Sequence, residues 1–242
     1  YVTKELNLAN NYKERLKSIL KFINKDWKNW VWQFDNDRDP FKISFKPLQV
    51  NDYAEDLMLS LGEKRVFLSA TILDADTYCK ELGLDPDETT FIRVRYSPFP
   101  SKNRPVITKY VGGNLSHRGM SPETLKKTAE RIATIATDNP NEKGLILPYT
   151  NALENQLVDI LKEHHPLVGA RIIQHTKDSH ERESTFKHFN KSKGNEILIS
   201  TYANQGYDGK TVGFLIVPKV PFQPLGDVQV KKKMELNPRW YK

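Results

Sequence analysis

Gly144-Leu145-Ile146-Leu147, Arg171-Ile172-Ile173-Gln174, Glu196-Ile197-Leu198-Ile199 and Gly213-Phe214-Leu215-Ile216-Val217 are four short apolar runs in the second half of the chain. Each is the length of a strand and too short for a buried helix. Polar starts and amphipathic stretches separate them. Asn151-Ala152-Leu153-Glu154 reads as a capping box for one helix, and Asp178 to Glu181 as a second, for a helix ending near Phe189. Upstream, Ser121-Pro122-Glu123 supplies a capping serine and a first-turn proline for a helix to about Ala136. Short continuous apolar strands alternating with amphipathic helices predict an α/β domain, a parallel sheet with helices on both faces.

The first half is less regular. Leu6 to Phe22 begins a helix with Leu16, Ile19, Leu20 and Ile23 at helical spacing. Trp30 to Phe34 and Phe41 to Phe45 alternate as strands around the polar stretch Asp35 to Pro40, which predicts a hairpin. Trp27, Trp30 and Trp32 are expected to pack in a core rather than to stack on bases. Asp52 to Leu61 reads as a helix, Arg65 to Leu68 as a buried strand ending at Ser69, and Ala75 to Leu82 as a helix. Phe91 to Val94 and Val106 to Val111 look like strands.

Hydrophobic residues at 38% and charged residues at 28% indicate a folded, water-soluble chain. The formal charge of +7 suits a polyanionic partner such as nucleic acid, but it equally suits a lysine-rich surface. A single cysteine, Cys79, rules out an intrachain disulfide and any cysteine-built metal cluster, and no metal site is expected. No apolar run reaches membrane-spanning length and no signal peptide opens the sequence, so a cytoplasmic protein, or a nuclear one in a eukaryote, is expected, without a membrane partner. The abrupt start at Tyr1 and finish at Lys242 read as cuts within a longer protein.

In an open parallel sheet, ligands bind beyond the carboxyl ends of the strands. The residues directly after the apolar runs are Ser69-Ala70-Thr71, Tyr149-Thr150-Asn151, His175-Thr176 and Ser200 to Lys210. All are small or polar, as turns also are. Within the last cluster, Gly206 and Gly209 bracket Asp208. A carboxylate there can accept hydrogen bonds from a sugar hydroxyl or face a cation, but spacing alone favours a tight turn. Lys219, Lys231, Lys232, Lys233 and Arg239 make the C-terminal stretch basic, with Tyr149 and Phe222 as candidates for base stacking.

Arg65 to Ile72 resembles helicase motif III, the Ser-Ala-Thr signature. Ile197 to Gly209 resembles motif V of the XPD/DinG family of superfamily 2 helicases, and Lys219-Val220-Pro221-Phe222 the segment that follows it. Gly144 to Asn151 is similar to motif IV, Tyr96 to Phe99 to the Ser-Pro-Phe segment, and Pro47 to Val50 to the stretch before motif III. The segments stand in the family's order from about Trp32 onward.

The resemblance implies that residues 1–71 are the end of an arch or first motor domain, with a small helical and hairpin segment. Residues 72–242 would be the second motor domain, a RecA-like parallel sheet. The whole protein would be an ATP-dependent helicase moving five-prime to three-prime on single-stranded DNA and opening forked duplex. ATP and Mg2+ would sit between its motor domains, with Asp208, Gly206 and Gln205 on the nucleotide side. Ser69, Ala70 and Thr71 would couple that site to DNA. Tyr149, Thr150, Asn151, Ser200, Thr201, Phe222 and Lys231 would touch the strand. The family's phosphate loop, acidic box and iron–sulfur cysteines would lie upstream and motif VI downstream, so this chain alone is expected to be inactive as an ATPase. The family commonly has Glu-Gly before the aspartate where Gln205-Gly206 stands here. Two alternatives remain from the residues: a non-catalytic nucleic-acid-binding module, or a degenerate helicase paralogue serving as a scaffold.

Overall fold

The computed structural model describes residues 2–35, 42–69, 72, 74–96, 100–108, 111, 113–116, 119–204, 207–209 and 212–238. Ala70, Thr71, Ser97 to Phe99, Gln205, Gly206, Lys210, Arg239 and residues 36–41, with Phe41, lie outside these residues, as does part of the expected strand Val106 to Val111. In chain order the helices are α1 (Val2–Lys25), α2 (Asn51–Leu57), α3 (Ala75–Leu82), α4 (Pro122–Asp138), α5 (Asn151–His164), α6 (Pro166–Gly169), α7 (Ser179–Lys191) and α8 (Val228–Leu236). The strands are β1 (Trp30–Asp35), β2 (Lys42–Pro47), β3 (Gly144–Ile146), β4 (Ile172–Ile173), β5 (Ile197–Ile199) and β6 (Phe214–Ile216). Packing divides the chain into two compact units, residues 1–103 with 222–242, and residues 104–221.

In the first unit β1 and β2 form the expected antiparallel hairpin, with Trp30 opposite Pro47 and Asp35 opposite Lys42. Buried Asn29 closes its open end. Its Nδ2 donates to the Gln49 carbonyl at 2.9 Å and its Oδ1 accepts the Gln49 N–H at 2.8 Å, so the side chain substitutes for one more ladder pair. The Trp30 indole donates to the Tyr53 hydroxyl of α2 at 2.9 Å, and Phe22 of α1 meets the same ring edge-on. Asp227 caps α8 through the N–H groups of Gln229 and Val230, and pairs with Lys46 of β2. α3 starts at Asp74, whose side chain accepts the Thr77 N–H, and stops at Gly83 with φ 68°. A Cβ on Gly83 would stand 2.6 Å from the Asn51 carbonyl oxygen, so both backbone conformation and space demand glycine.

Several expectations fail, in this unit and at the start of the second, for one physical reason. Trp27 is 69% exposed and Trp32 63%, so neither packs in a core. Trp30 and Trp32 share one face of the hairpin, but Tyr53 covers only the Trp30 end. Arg65 to Leu68 is not a buried strand: Val66 and Leu68 are exposed, Arg65 donates to the Leu59 carbonyl and pairs with Glu55, and Phe67 meets Tyr78 of α3. Phe91 to Val94 likewise forms no strand, nor do the described residues of Val106 to Val111, and Ile92, Val94, Val106 and Ile107 are exposed. An apolar run becomes a strand only where neighbours complete its hydrogen bonds, and among the described residues none does so. The helix expected over Asp52 to Leu61 ends at Leu57 and passes into a 3-10 turn, Leu59–Leu61.

The second unit follows the pattern of the apolar runs. Its four strands are all parallel, in the order β4-β5-β3-β6. Ile146, Ile199 and Ile216 align on one face, and Leu145, Leu198 and Leu215 on the other. α4, α5 and α6 cover the isoleucine face with Ala129, Ile132, Ala133, Leu153, Leu157, Leu161 and Val168. α7 covers the leucine face with Phe186 and Phe189. Right-handed crossovers explain the division, because β3 to β4 and β4 to β5 run in opposite directions along the sheet. Each fully buried leucine or isoleucine contributes about 1.5–3 kcal/mol of transfer free energy. Gly144 leaves room for the Phe214 ring, which an added Cβ would meet at 2.3 Å. One cap differs from expectation. Thr150, not Asn151, is the N-cap of α5, accepting the Leu153 N–H, and Glu154 turns inward instead of back to the cap. Among the described residues no helix is long and apolar enough to cross a membrane.

Candidate functional site

The sheet of the second unit has a place where successive connections leave on opposite faces. After β3 the chain enters α5, on the isoleucine face. After β5 it passes over the leucine face, where Ala203 and Tyr207 pack. β3 and β5 are neighbours, so their carboxyl ends form the switch point of the sheet, the position of the crevice in which open parallel sheets take ligands. Its walls are Tyr149-Thr150-Asn151 on one side and Ser200-Thr201-Tyr202 on the other.

Hydrogen bonds join the two walls. The Thr201 hydroxyl donates to Asn151 Oδ1 at 2.8 Å, and the Thr201 N–H to the Glu154 carboxylate at 3.1 Å. Glu154 is 5% exposed. Burial pushes its carboxyl above the ordinary 4.5, against the opposing pull of the Thr201 N–H, the Gln174 side chain and nearby His175. It is therefore an inward strut for the β5 loop.

His175, from the end of β4, completes this edge. Its Nδ1 lies 2.6 Å from the Thr176 carbonyl oxygen. A carbonyl only accepts, so Nδ1 carries hydrogen, and in the neutral ring Nε2 accepts the Ser200 hydroxyl at 2.7 Å. Ser200 Oγ in turn accepts the Tyr202 N–H at 3.0 Å. A serine, a histidine and a carboxylate in proximity invite a hydrolase reading. Two observations oppose it. Ser200 is fully buried, and the second ring nitrogen of His175 is held by a backbone carbonyl and not by Glu154. The trio ties the ends of β4 and β5 together.

The exposed rim carries cations on aromatic rings. The Lys219 ammonium lies over the Tyr149 ring, 5.5 Å from its centre, and the Arg182 guanidinium over the Tyr202 ring at 4.5 Å. His175 meets Tyr202 edge-on, and Phe186 then Tyr207 continue the aromatic row.

Of the residues expected at the site, Tyr149, Thr150, Asn151, Ser200 and Thr201 come together here. Thr150 and Asn151 are exposed. Asp208 stands elsewhere in the unit. Its carbonyl accepts Asn190 Nδ2 at 3.1 Å in the last turn of α7, toward the amino edge of the sheet, and its carboxylate is exposed. The Asn190 side chain also accepts the Tyr207 hydroxyl. Ser69 is exposed and lies in the first unit, as do Phe222 and Lys231, both exposed. Among the described residues no group of three or more His, Cys, Asp or Glu side chains is placed to hold a metal ion. Tyr202 lies inside the Ser200 to Lys210 cluster that its place after a strand marks. Arg182 becomes visible only when α7 is docked, and Glu154, which the sequence pattern makes part of a capping box, faces Thr201 instead. No protein-family model matches the chain, and no curated protein matches it.

Proposed function

We propose that the chain is the second, RecA-like motor domain of an ATP-dependent DNA helicase, preceded by the end of the first motor domain. The observation that carries the reading is the switch point at the carboxyl ends of β3 and β5, where Thr201 of the segment resembling motif V is hydrogen-bonded to Asn151 of the one resembling motif IV and to Glu154 just after it. Hydroxyl and amide groups at such an edge suit a phosphodiester backbone, and the rim cations Lys219 and Arg182 suit its charge. The longer protein would couple ATP hydrolysis to movement along single-stranded DNA.

The described residues do not by themselves build a nucleotide site. Asp208 offers an exposed carboxylate, but away from the carboxyl edge of the sheet, and no phosphate-cradling glycine–lysine loop occurs in the sequence. Bound ATP would supply the free energy of phosphoryl transfer, and its Mg2+ would offset phosphate charge. What this chain contributes is the strand-holding edge.

The test has two parts. The 242-residue chain, mixed with ATP, Mg2+ and single-stranded DNA, is expected to turn over no ATP but to bind the strand with an affinity that falls steeply with salt. A longer protein that includes a first motor domain is expected to hydrolyse ATP faster when the strand is added. Binding without any stimulated hydrolysis in that longer protein would favour the non-catalytic module. Loss of both would remove nucleic acid from the account.

A further inference from the structure

The row of rings at the carboxyl edge differs from an ordinary core in one respect: its outermost member is left open. Phe186 and Tyr207 are half-buried beneath it, and His175 is held by Ser200 and Thr176. Tyr202 is 38% exposed, with His175 in an edge-on contact with its ring and Arg182 over one face. Its position does not depend on its own side chain alone, because its N–H donates to buried Ser200. The ring therefore stands on a rigid floor at the mouth of the β3–β5 crevice, next to Thr201. Tyr149 with Lys219 repeats the pairing of ring and cation at the end of β3.

We infer that Tyr202, backed by Arg182, is a stacking seat for one unpaired base, with Arg182 reaching the adjoining phosphate, and that this seat makes the edge select single-stranded over duplex nucleic acid. The inference rests on the nucleic-acid reading above and assigns its strand discrimination to two residues. The chemistry follows from the two partners of the ring. An aromatic face held in place stacks any base without regard to sequence. A base within a duplex has its faces already covered, so only an unpaired one is received. A guanidinium group stacked on the ring keeps donors in its own plane free for phosphate oxygens. Against the opposite possibility, a seat for a free nucleotide, stands the openness of the ring and the second ring–cation pair, which suit a continuing strand.

The experiment uses the whole chain and four probes: a labelled dT oligonucleotide, a blunt hairpin duplex of equal charge, ATP and dTMP. The parent is expected to bind the oligonucleotide in preference to the duplex. Tyr202→Leu should lower oligonucleotide affinity roughly fivefold to a hundredfold, the range for loss of one stacked base, and leave duplex binding unchanged. Tyr202→Phe should retain the preference. Arg182→Gln should reduce the slope of log affinity against log salt by about one, as expected for one lost phosphate contact. Melting curves recorded beside each titration separate these effects from unfolding, and Arg182, half-buried on α7 one turn before Phe186, supplies a variant that leaves the Tyr202 side chain itself unchanged. An unchanged preference in a folded Tyr202→Leu protein, or an unchanged salt slope in Arg182→Gln, overturns the inference while leaving the broader reading in place. Competition by ATP or dTMP as strong as that of the oligonucleotide would also overturn it, in favour of a nucleotide pocket. A parent that binds no oligonucleotide removes the broader reading and this one with it.

Discussion

Replacing Arg171 with methionine should destabilise the second unit strongly without touching the candidate site. Arg171 leads into β4, and its side chain lies at the amino edge of the sheet, the end opposite the crevice. Nη1 donates to the Ala136 carbonyl at 2.5 Å, Nη2 to those of Asn139 and Glu142 at 3.1 and 2.8 Å, and Nε to that of Asn195 at 2.8 Å. The last turn of α4 and the approaches to β3 and β5 are thereby tied to β4 through one group. A hydrogen bond to a charged group contributes about 1.5–3 kcal/mol. The carbonyls of Glu142 and Asn195 are on exposed residues and regain water when the donor is removed, so their share is small. The two part-buried acceptors at the end of α4 then set the loss at about 3–4 kcal/mol. At roughly 4 °C per kcal/mol for a unit of this size, the melting temperature should fall by about 12–16 °C. Arg171→Lys keeps the charge near the carboxyl end of α4 but not the fork of donors, and should recover less than half. Thermal unfolding followed by circular dichroism measures both variants, and oligonucleotide binding well below the transition should be unchanged. If Arg171→Met melts within about 2 °C of the parent, these carbonyls are satisfied without the arginine and the argument is wrong.

Glu154→Gln should flatten part of the pH dependence of stability. Burial raises the Glu154 carboxyl in the folded state, so its favourable contribution is complete below its ordinary value of 4.5 and is lost as pH rises through the higher folded value. Glutamine still accepts the Thr201 N–H without a charge to bury, and the variant's advantage over the parent should grow with pH above 4.5; a constant difference across that range would refute the assignment. Asp208→Asn should leave the melting temperature of the chain unmoved, because Asn190 is held by the backbone carbonyl of residue 208 and not by the carboxylate. In the longer protein the same change should lower strand-stimulated ATPase roughly tenfold to a hundredfold if the carboxylate serves the nucleotide; normal turnover would leave Asp208 with no part beyond anchoring its loop.

Local pattern was enough to read the sheet of the second unit. The runs at Gly144, Ile172, Ile197 and Phe214, the cap at Asp178 and the proline start at Pro122 each carry their own signal, although β3 pairs with β5 and β6 and not with the next strand in the chain. The strand-end argument located Tyr149 to Asn151 and Ser200 to Thr201 for the same reason, since position after a strand is a local property. Hydrophobicity alone misjudged Trp32, Val66 and Ile92. An apolar residue reports that it can be buried, and only a partner elsewhere in the structure decides that it is. The local signal for α8 is the cap at Asp227 alone, since the lysine run that follows it interrupts any apolar stripe. Arg182 over Tyr202, Glu154 beneath Thr201 and Arg171 at the end of α4 belong to the tertiary structure entirely. Each joins groups from separate elements, and an interaction that depends on how helices dock on a sheet leaves no periodicity in the chain that makes it.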